Sequence, residues 1–158
     1  MKTLLLLFLF LLPLQSLAEV SQDRLEYELQ LGQRLTNTIL LADVAWCEAS
    51  NQGNLGKLAV MDVVLNRVSN PRFPNSIESV IYQPWAFECI TKRVPINRSS
   101  SSYRTAFQLA HNKLFGNAPR ITYATHYYNP SIVSPKWASS PQMAYLGSIG
   151  DHRFYQGF

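Results

Sequence analysis

Apolar positions across residues 21–50 recur at close to helical spacing: Leu25, Leu29, Leu35, Ile39, Leu40 and Val44. That pattern predicts helix in at least one long piece, with Gly32 as the one position that would allow a break. Its last turn reads Ala45-Trp46-Cys47-Glu48-Ala49, and Asn51-Gln52-Gly53-Asn54 then supplies residues that tolerate the turn conformations ending a helix. Leu58, Met61, Leu65 and Val68 form one apolar face and predict a second helix over about 55–69, stopped by Asn70-Pro71. Asn75 with Glu78 three residues on resembles a capping box, opening a short helix that carries Ile77, Val80 and Ile81. The serines at 99–102 offer an N-cap for a helix with Tyr103, Ala106, Phe107, Ala110 and Leu114 inward, closed by Gly116.

Beyond Asn117 the period changes. Residues 121–128 are β-branched and aromatic, and residues 143–154 form a second such stretch with a Gly150-Asp151 turn inside it. The pattern implies an α+β class, mostly helical, with a small antiparallel sheet at the C-terminal side. No internal repeat breaks this into smaller units.

The first 18 residues belong to a different kind of segment. Lys2, a leucine- and phenylalanine-rich run, Pro13 and the exit Ser16-Leu17-Ala18 have the three-part form of a secretory signal peptide, with cleavage expected after Ala18. The apolar run over residues 3–14 is well short of the roughly 20 residues that cross a bilayer, so no membrane span is expected after cleavage. Removing 18 of the 158 residues and one of the 14 lysines and arginines leaves 140 residues with 13 basic and 10 acidic side chains, a net +3. One domain with one core fits that length, and a monomer is expected. The charges are scattered, which suits weak attraction to an anionic polymer and falls short of a nucleic-acid footprint. Cys47 and Cys89 are the two cysteines. Outside the cytoplasm they fit one disulfide, and two buried thiols fit equally well on sequence alone.

Glu48 stands out among the titratable residues. It ends an apolar helix directly after Trp46-Cys47, and a carboxyl beside an indole and poorly solvated neighbours is pushed toward the protonated form that a general acid needs. An ordinary exposed glutamate is the competing reading of the same local pattern. The three histidines, His111, His126 and His152, show neither zincin spacing nor a cysteine cluster, so no metal site is expected. There is no nucleophile elbow and no phosphate-cradling glycine loop, and no cofactor is expected. Aromatic residues outside the predicted helices are plentiful, among them Trp85, Phe87, Tyr123, Tyr127, Tyr128, Trp137 and Tyr155. Such rings form platforms for the apolar faces of sugars, although core packing accounts for most rings taken singly.

Several short motifs in order carry a resemblance. Ala45-Trp46-Cys47-Glu48-Ala49, residues 60–68 (VMDVVLNRV), Phe73-Pro74-Asn75-Ser76-Ile77, and Val80-Ile81-Tyr82-Gln83-Pro84 with Phe87 are followed by residues 124–130 (ATHYYNP), Trp137 and residues 149–155 (IGDHRFY). Together they resemble the SleB/CwlJ cell wall hydrolase family over roughly residues 41–156. The resemblance implies a compact lysozyme-like α+β fold and lytic transglycosylase activity on the MurNAc–GlcNAc bond of peptidoglycan. It places Glu48 on the catalytic position and His126, Tyr128, Asn129, Trp137, His152 and Phe87 in the substrate cleft. On this reading residues 1–18 are the signal, 19–40 a helical lead-in and 41–158 the catalytic domain. Glycan strands are the implied partner, and delivery to the wall falls to a partner protein or to the weak positive charge.

The residues flanking Glu48 depart from the family pattern. Cys47 beside the catalytic position and Cys89 near Phe87 imply a disulfide bracing the cleft wall, and Glu88 stands where a small polar residue is expected and could act as a second carboxylate. Two rival readings remain at this point: a cysteine amidase or peptidase using Cys47 with His126 or His152, and a non-catalytic glycan-binding module.

Overall fold

The structure, a computed structural model, describes residues 3–157, with side chains from Val20 onward. The expected signal peptide, residues 1–18, lies outside the residues whose side chains are described. Helix α1 (Thr3–Ala49) runs through Gly32 unbroken, one of the two forms that the sequence allowed. One internal glycine costs about 1 kcal/mol against alanine, too little to end a helix whose flanking turns are intact. Leu25, Leu29 and Leu35 are exposed, and burial starts at Thr38 and continues through Leu41, Ala42, Val44, Ala45 and Ala49. The chain divides into two compact units, Met1–Thr36 and Asn37–Phe158, and the second holds the core. Among the described residues no helix is long and apolar enough to cross a membrane.

Helix α2 (Gly53–Val68) is the centre of that core. Leu65 and Val68, expected on its buried face, are only partly buried, whereas Lys57, Asp62 and Arg67 are buried. A one-sided stripe describes a surface helix, and α2 is instead packed by helix α3 (Ile77–Ile81), helix α5 (Ser101–Phe115) and the sheet. Helix α3 is capped by Ser76, whose Oγ accepts the Ser79 N–H at 3.1 Å, so the cap is one residue later than Asn75. Helix α5 is capped by Ser100, whose Oγ accepts the Tyr103 N–H at 3.1 Å, and it buries Tyr103, Ala106 and Ala110 as predicted. Between them lies helix α4 (Glu88–Thr91), four residues long and too short to leave a periodic signal.

Residues 121–125 read as strand by composition but are irregular, and only His126–Tyr128 form strand β1. Polar side chains of α2 take the place of a neighbouring strand. Asp62 Oδ2 accepts the N–H groups of Ile121 (2.5 Å) and Thr122 (3.1 Å), and its Oδ1 pairs with Lys113 Nζ at 2.6 Å. Asn66 Nδ2 donates to the carbonyls of Thr122 and Ala124, and Arg67 Nε donates to that of Thr125 at 2.7 Å. Buried backbone groups must be paired, and here helix side chains pair them.

Strands β2 (Met143–Ile149) and β3 (His152–Gly157) complete an antiparallel sheet in the order β1-β3-β2. Gly150, at φ +57°, makes the β2–β3 turn where the sequence suggested it. Tyr127 lies opposite Phe154, and His126 and Tyr145 lie opposite Tyr155. Because successive strand residues point to opposite faces, Tyr127, His152 and Phe154 share one face of the sheet while His126, Tyr128 and Tyr155 share the other.

Candidate active site

Glu48 occupies the penultimate position of α1, where the negative end of the helix dipole opposes a carboxylate. The free carbonyls of this terminus are taken by a buried cation: Lys57 Nζ donates to Ala49 O and Ser50 O, each at 3.1 Å. Two donors from distant parts of the chain meet the Glu48 carboxyl. Cys89 N–H reaches Oε1 at 3.3 Å, and the Tyr127 hydroxyl reaches Oε2 at 3.1 Å. Burial pushes the Glu48 carboxyl above the ordinary carboxylate range. The bonds from Tyr127 and Cys89 oppose that rise, and the nearby charge of Glu88 adds to it.

Tyr127 is firmly placed. Its ring stacks on Phe154, with centroids 5.7 Å apart, and meets the edge of His152 at 5.0 Å. Burial and the charge of Glu48 raise its pKa well above the ordinary tyrosine value, so its hydroxyl keeps its proton wherever the protein is folded near neutral pH. Behind it, Arg67 is buried with its guanidinium over the rings of Phe73 (5.3 Å) and Phe87 (5.2 Å).

The other donor is held by covalent chemistry. Cys47 and Cys89 are joined as a disulfide with Cα atoms 6.0 Å apart, which ties the last turn of α1 to α4. The loop after Glu48 is tied to the β2–β3 turn as well: Gln52 Nε2 donates to Asp151 Oδ2 at 2.8 Å, and Asp151 N–H donates back to Gln52 Oε1 at 2.7 Å.

The residues that the sequence put in one cleft are spread over two faces. His152 is buried behind Tyr127, and burial lowers its pKa against the opposing charge of Asp151, favouring the neutral imidazole. Phe87 is 1% exposed and supports the wall from beneath Arg67. His126, Tyr128 and Trp137 cluster on the opposite face of the sheet, where Trp137 meets His126 at 5.2 Å and Tyr128 at 5.6 Å. His126 and Trp137 there line a cavity of about 200 Å³ with Arg72 and Phe73, and Glu48 is not among its lining residues. Asn129 Oδ1 accepts the Ser131 N–H at 2.9 Å and shapes the turn after β1. Trp46 precedes Glu48 by two positions, which do not face each other on a helix, and it packs against the core. Cys47 and Cys89, whose pairing the sequence left open, are joined. Tyr127 was missed as a partner of Glu48, although its place between His126 and Tyr128 on a strand signals that it faces the other way. Nothing in the sequence marks the Cys89 N–H. Among the described residues no three His, Cys, Asp or Glu side chains cluster as a metal site would need.

Comparison with known proteins supplies the family. The pattern of the family described as Cell Wall Hydrolase matches residues 51–155, a span that begins just after Glu48. A spore cortex-lytic enzyme of Halalkalibacterium halodurans is 33% identical over 116 residues, which are 73% of this chain and 33% of that protein. The chain therefore spans about a third of that relative's length. Two solved structures share the fold. The catalytic domain of the Bacillus cereus SleB protein matches with a TM-score of 0.60 at 29% identity, over 75% of this chain and 89% of that one. The catalytic domain of a germination-specific lytic transglycosylase, SleB from Bacillus anthracis, matches with a TM-score of 0.60 at 28% identity, over 75% and 93%. A family pattern that spans about two thirds of the residues, together with a shared mostly helical fold carrying a three-stranded sheet, makes this chain a member of the cell wall hydrolase family.

Proposed function

We propose that this chain cleaves the glycan strands of peptidoglycan at the MurNAc–GlcNAc bond, as a lytic transglycosylase with Glu48 as its single acid and base. The observation that carries the reading is the Glu48 carboxyl itself, half-buried and met by one hydroxyl and one amide donor. Burial favours the protonated acid, which gives its proton to the glycosidic oxygen as the C–O bond breaks. The carboxylate left behind is stabilised by Tyr127 and the Cys89 N–H. It then takes the proton of the MurNAc 6-hydroxyl as that oxygen closes on its own anomeric carbon, forming a 1,6-anhydro ring. The substrate supplies the nucleophile, so no second carboxylate is required.

The partners of Glu48 suit both halves of this cycle. An amide can only donate, so Oε1 remains an acceptor, whereas the Tyr127 hydroxyl donates to the carboxylate and can turn to accept from the acid. Glu88, the second carboxylate suggested by the sequence, is exposed and ion-paired with Lys92 just past the end of α4, which favours the single-acid route. Cys47 is bonded to Cys89 and has no thiolate to offer as a nucleophile. The reading puts the mature chain outside the cytoplasm, where its substrate lies.

Purified sacculi test this directly. Glu48→Gln is expected to lower the release of soluble muropeptides by at least about 100-fold, the range associated with loss of a general acid. Mass spectrometry of the wild-type products is expected to find anhydro ends, each one water lighter than a reducing end. Full activity in Glu48→Gln, or wild-type protein that binds sacculi and releases nothing, overturns the proposal.

A further inference from the structure

Trp85 combines two features that folding alone does not favour. Its backbone is left-handed, at φ +66°, a conformation that costs a bulky L-residue roughly 1–2 kcal/mol and that glycine or asparagine adopts more readily. Its indole is 87% exposed, more than any other large hydrophobic side chain described, so core packing offsets none of that cost. Strain held without burial clusters at functional sites.

The placement of Trp85 says which site. Phe87, two residues on, is buried in the core, and Cys89, four residues on, is bonded to Cys47 and donates its N–H to Glu48. Four residues of chain reach at most about 14 Å, so the Trp85 backbone stands within two or three sugar units of the acid. The segment is anchored at Phe87 and Cys89, so the backbone that carries the ring is held in place rather than trailing from a free loop.

We infer that Trp85 is the stacking platform of a sugar-binding subsite, taking the apolar face of one pyranose ring of the glycan strand near the Glu48 carboxyl. The choice of a glycan rests on the function proposed above. An exposed indole on an anchored backbone suits a ring whose C–H face is apolar and whose hydroxyls stay in water, and it needs no charged partner. The platform holds substrate and takes no part in proton transfer.

Two substitutions separate this role from a structural one. Trp85→Asn removes the ring and places a residue that tolerates the left-handed backbone. Trp85→Phe keeps a ring in the same conformation. With solubilised glycan strands as substrate, Trp85→Asn is expected to raise KM roughly three- to tenfold, the value of one aromatic contact, with kcat and the pH profile in place. Its Tm is expected to be unchanged or higher by a few degrees, and Trp85→Phe to recover most of the affinity. An unchanged KM in Trp85→Asn overturns the inference, as does a fall in Tm that Trp85→Phe does not restore. Loss of binding to anionic phospholipid vesicles, with glycan affinity intact, overturns it in favour of a membrane contact. If Glu48→Gln digests sacculi at full rate, the proposed function fails whatever Trp85 does; if only the Trp85 variants behave as wild type, this subsite fails alone.

Discussion

Replacing Tyr127 by phenylalanine removes one hydroxyl and leaves the ring packed between Phe154 and His152. The consequence falls on Glu48, whose Oε2 loses its donor. Hydrogen bonds to a charged group contribute about 1.5–3 kcal/mol, and this one, at 3.1 Å, is longer than the usual 2.7–2.8 Å for O–H···O, which puts it near the lower end. A loss of about 1.5 kcal/mol from the carboxylate state corresponds to a shift of about one pH unit. The direction is fixed by chemistry: the bond favours the charged form, so removing it makes Glu48 a weaker acid, and burial, the largest influence on this group, is left unopposed on that oxygen. If Glu48 must be protonated to start the reaction, activity fades as pH rises through its pKa. The alkaline limb of the initial rate of muropeptide release is therefore expected to move up by about one unit in Tyr127→Phe. Tyr127 itself does not titrate in this range, because its own pKa is raised well above the ordinary value. A limb that stays in place or moves down, in a variant whose Tm is within a few degrees of wild type, refutes the assignment of Tyr127 as the partner of the acid.

Other variants probe the frame around this pair. Glu48→Gln removes a group whose folded pKa lies above its unfolded one, and such a group loses its stabilising contribution as pH rises through the folded value. The variant is therefore expected to match wild-type Tm near pH 4 and exceed it by a few degrees near pH 8, and a difference independent of pH speaks against burial as the cause. Replacing both Cys47 and Cys89 by alanine opens a cross-link between residues 42 apart, expected to cost about 4 kcal/mol in urea denaturation and to lower activity through the freed Cys89 N–H. Asp62→Asn leaves the buried Lys113 ammonium without its counter-charge and is expected to cost about 3–5 kcal/mol; a loss under 1 kcal/mol means the pair is not buried as described.

Periodicity was enough to place α2 and α5, because three or four turns of helix repeat their burial pattern often enough to be read. The Gly150-Asp151 turn was equally legible, since its chemistry is local. Glu48 stood out as a candidate because it lies where a helix, a polar loop and a recognisable string of motifs coincide. Residues 121–125 were misread because the groups that pair their backbone are Asp62, Asn66 and Arg67, some 60 positions away on a helix. Helix α4 escaped because four residues carry no period.

By itself the sequence determined the helical body, the small C-terminal sheet and the carboxyl to watch, all of which are written in local spacing and short motifs. Tertiary structure alone decided what that carboxyl meets. A hydroxyl from 79 positions away and an amide from 41 positions away converge on its two oxygens, and strand alternation turns Tyr127 toward it while sending His126 and Tyr128 to the other face. The state of an acid depends on how much water and how many donors surround it, and that is a property of packing across the chain rather than of neighbours along it.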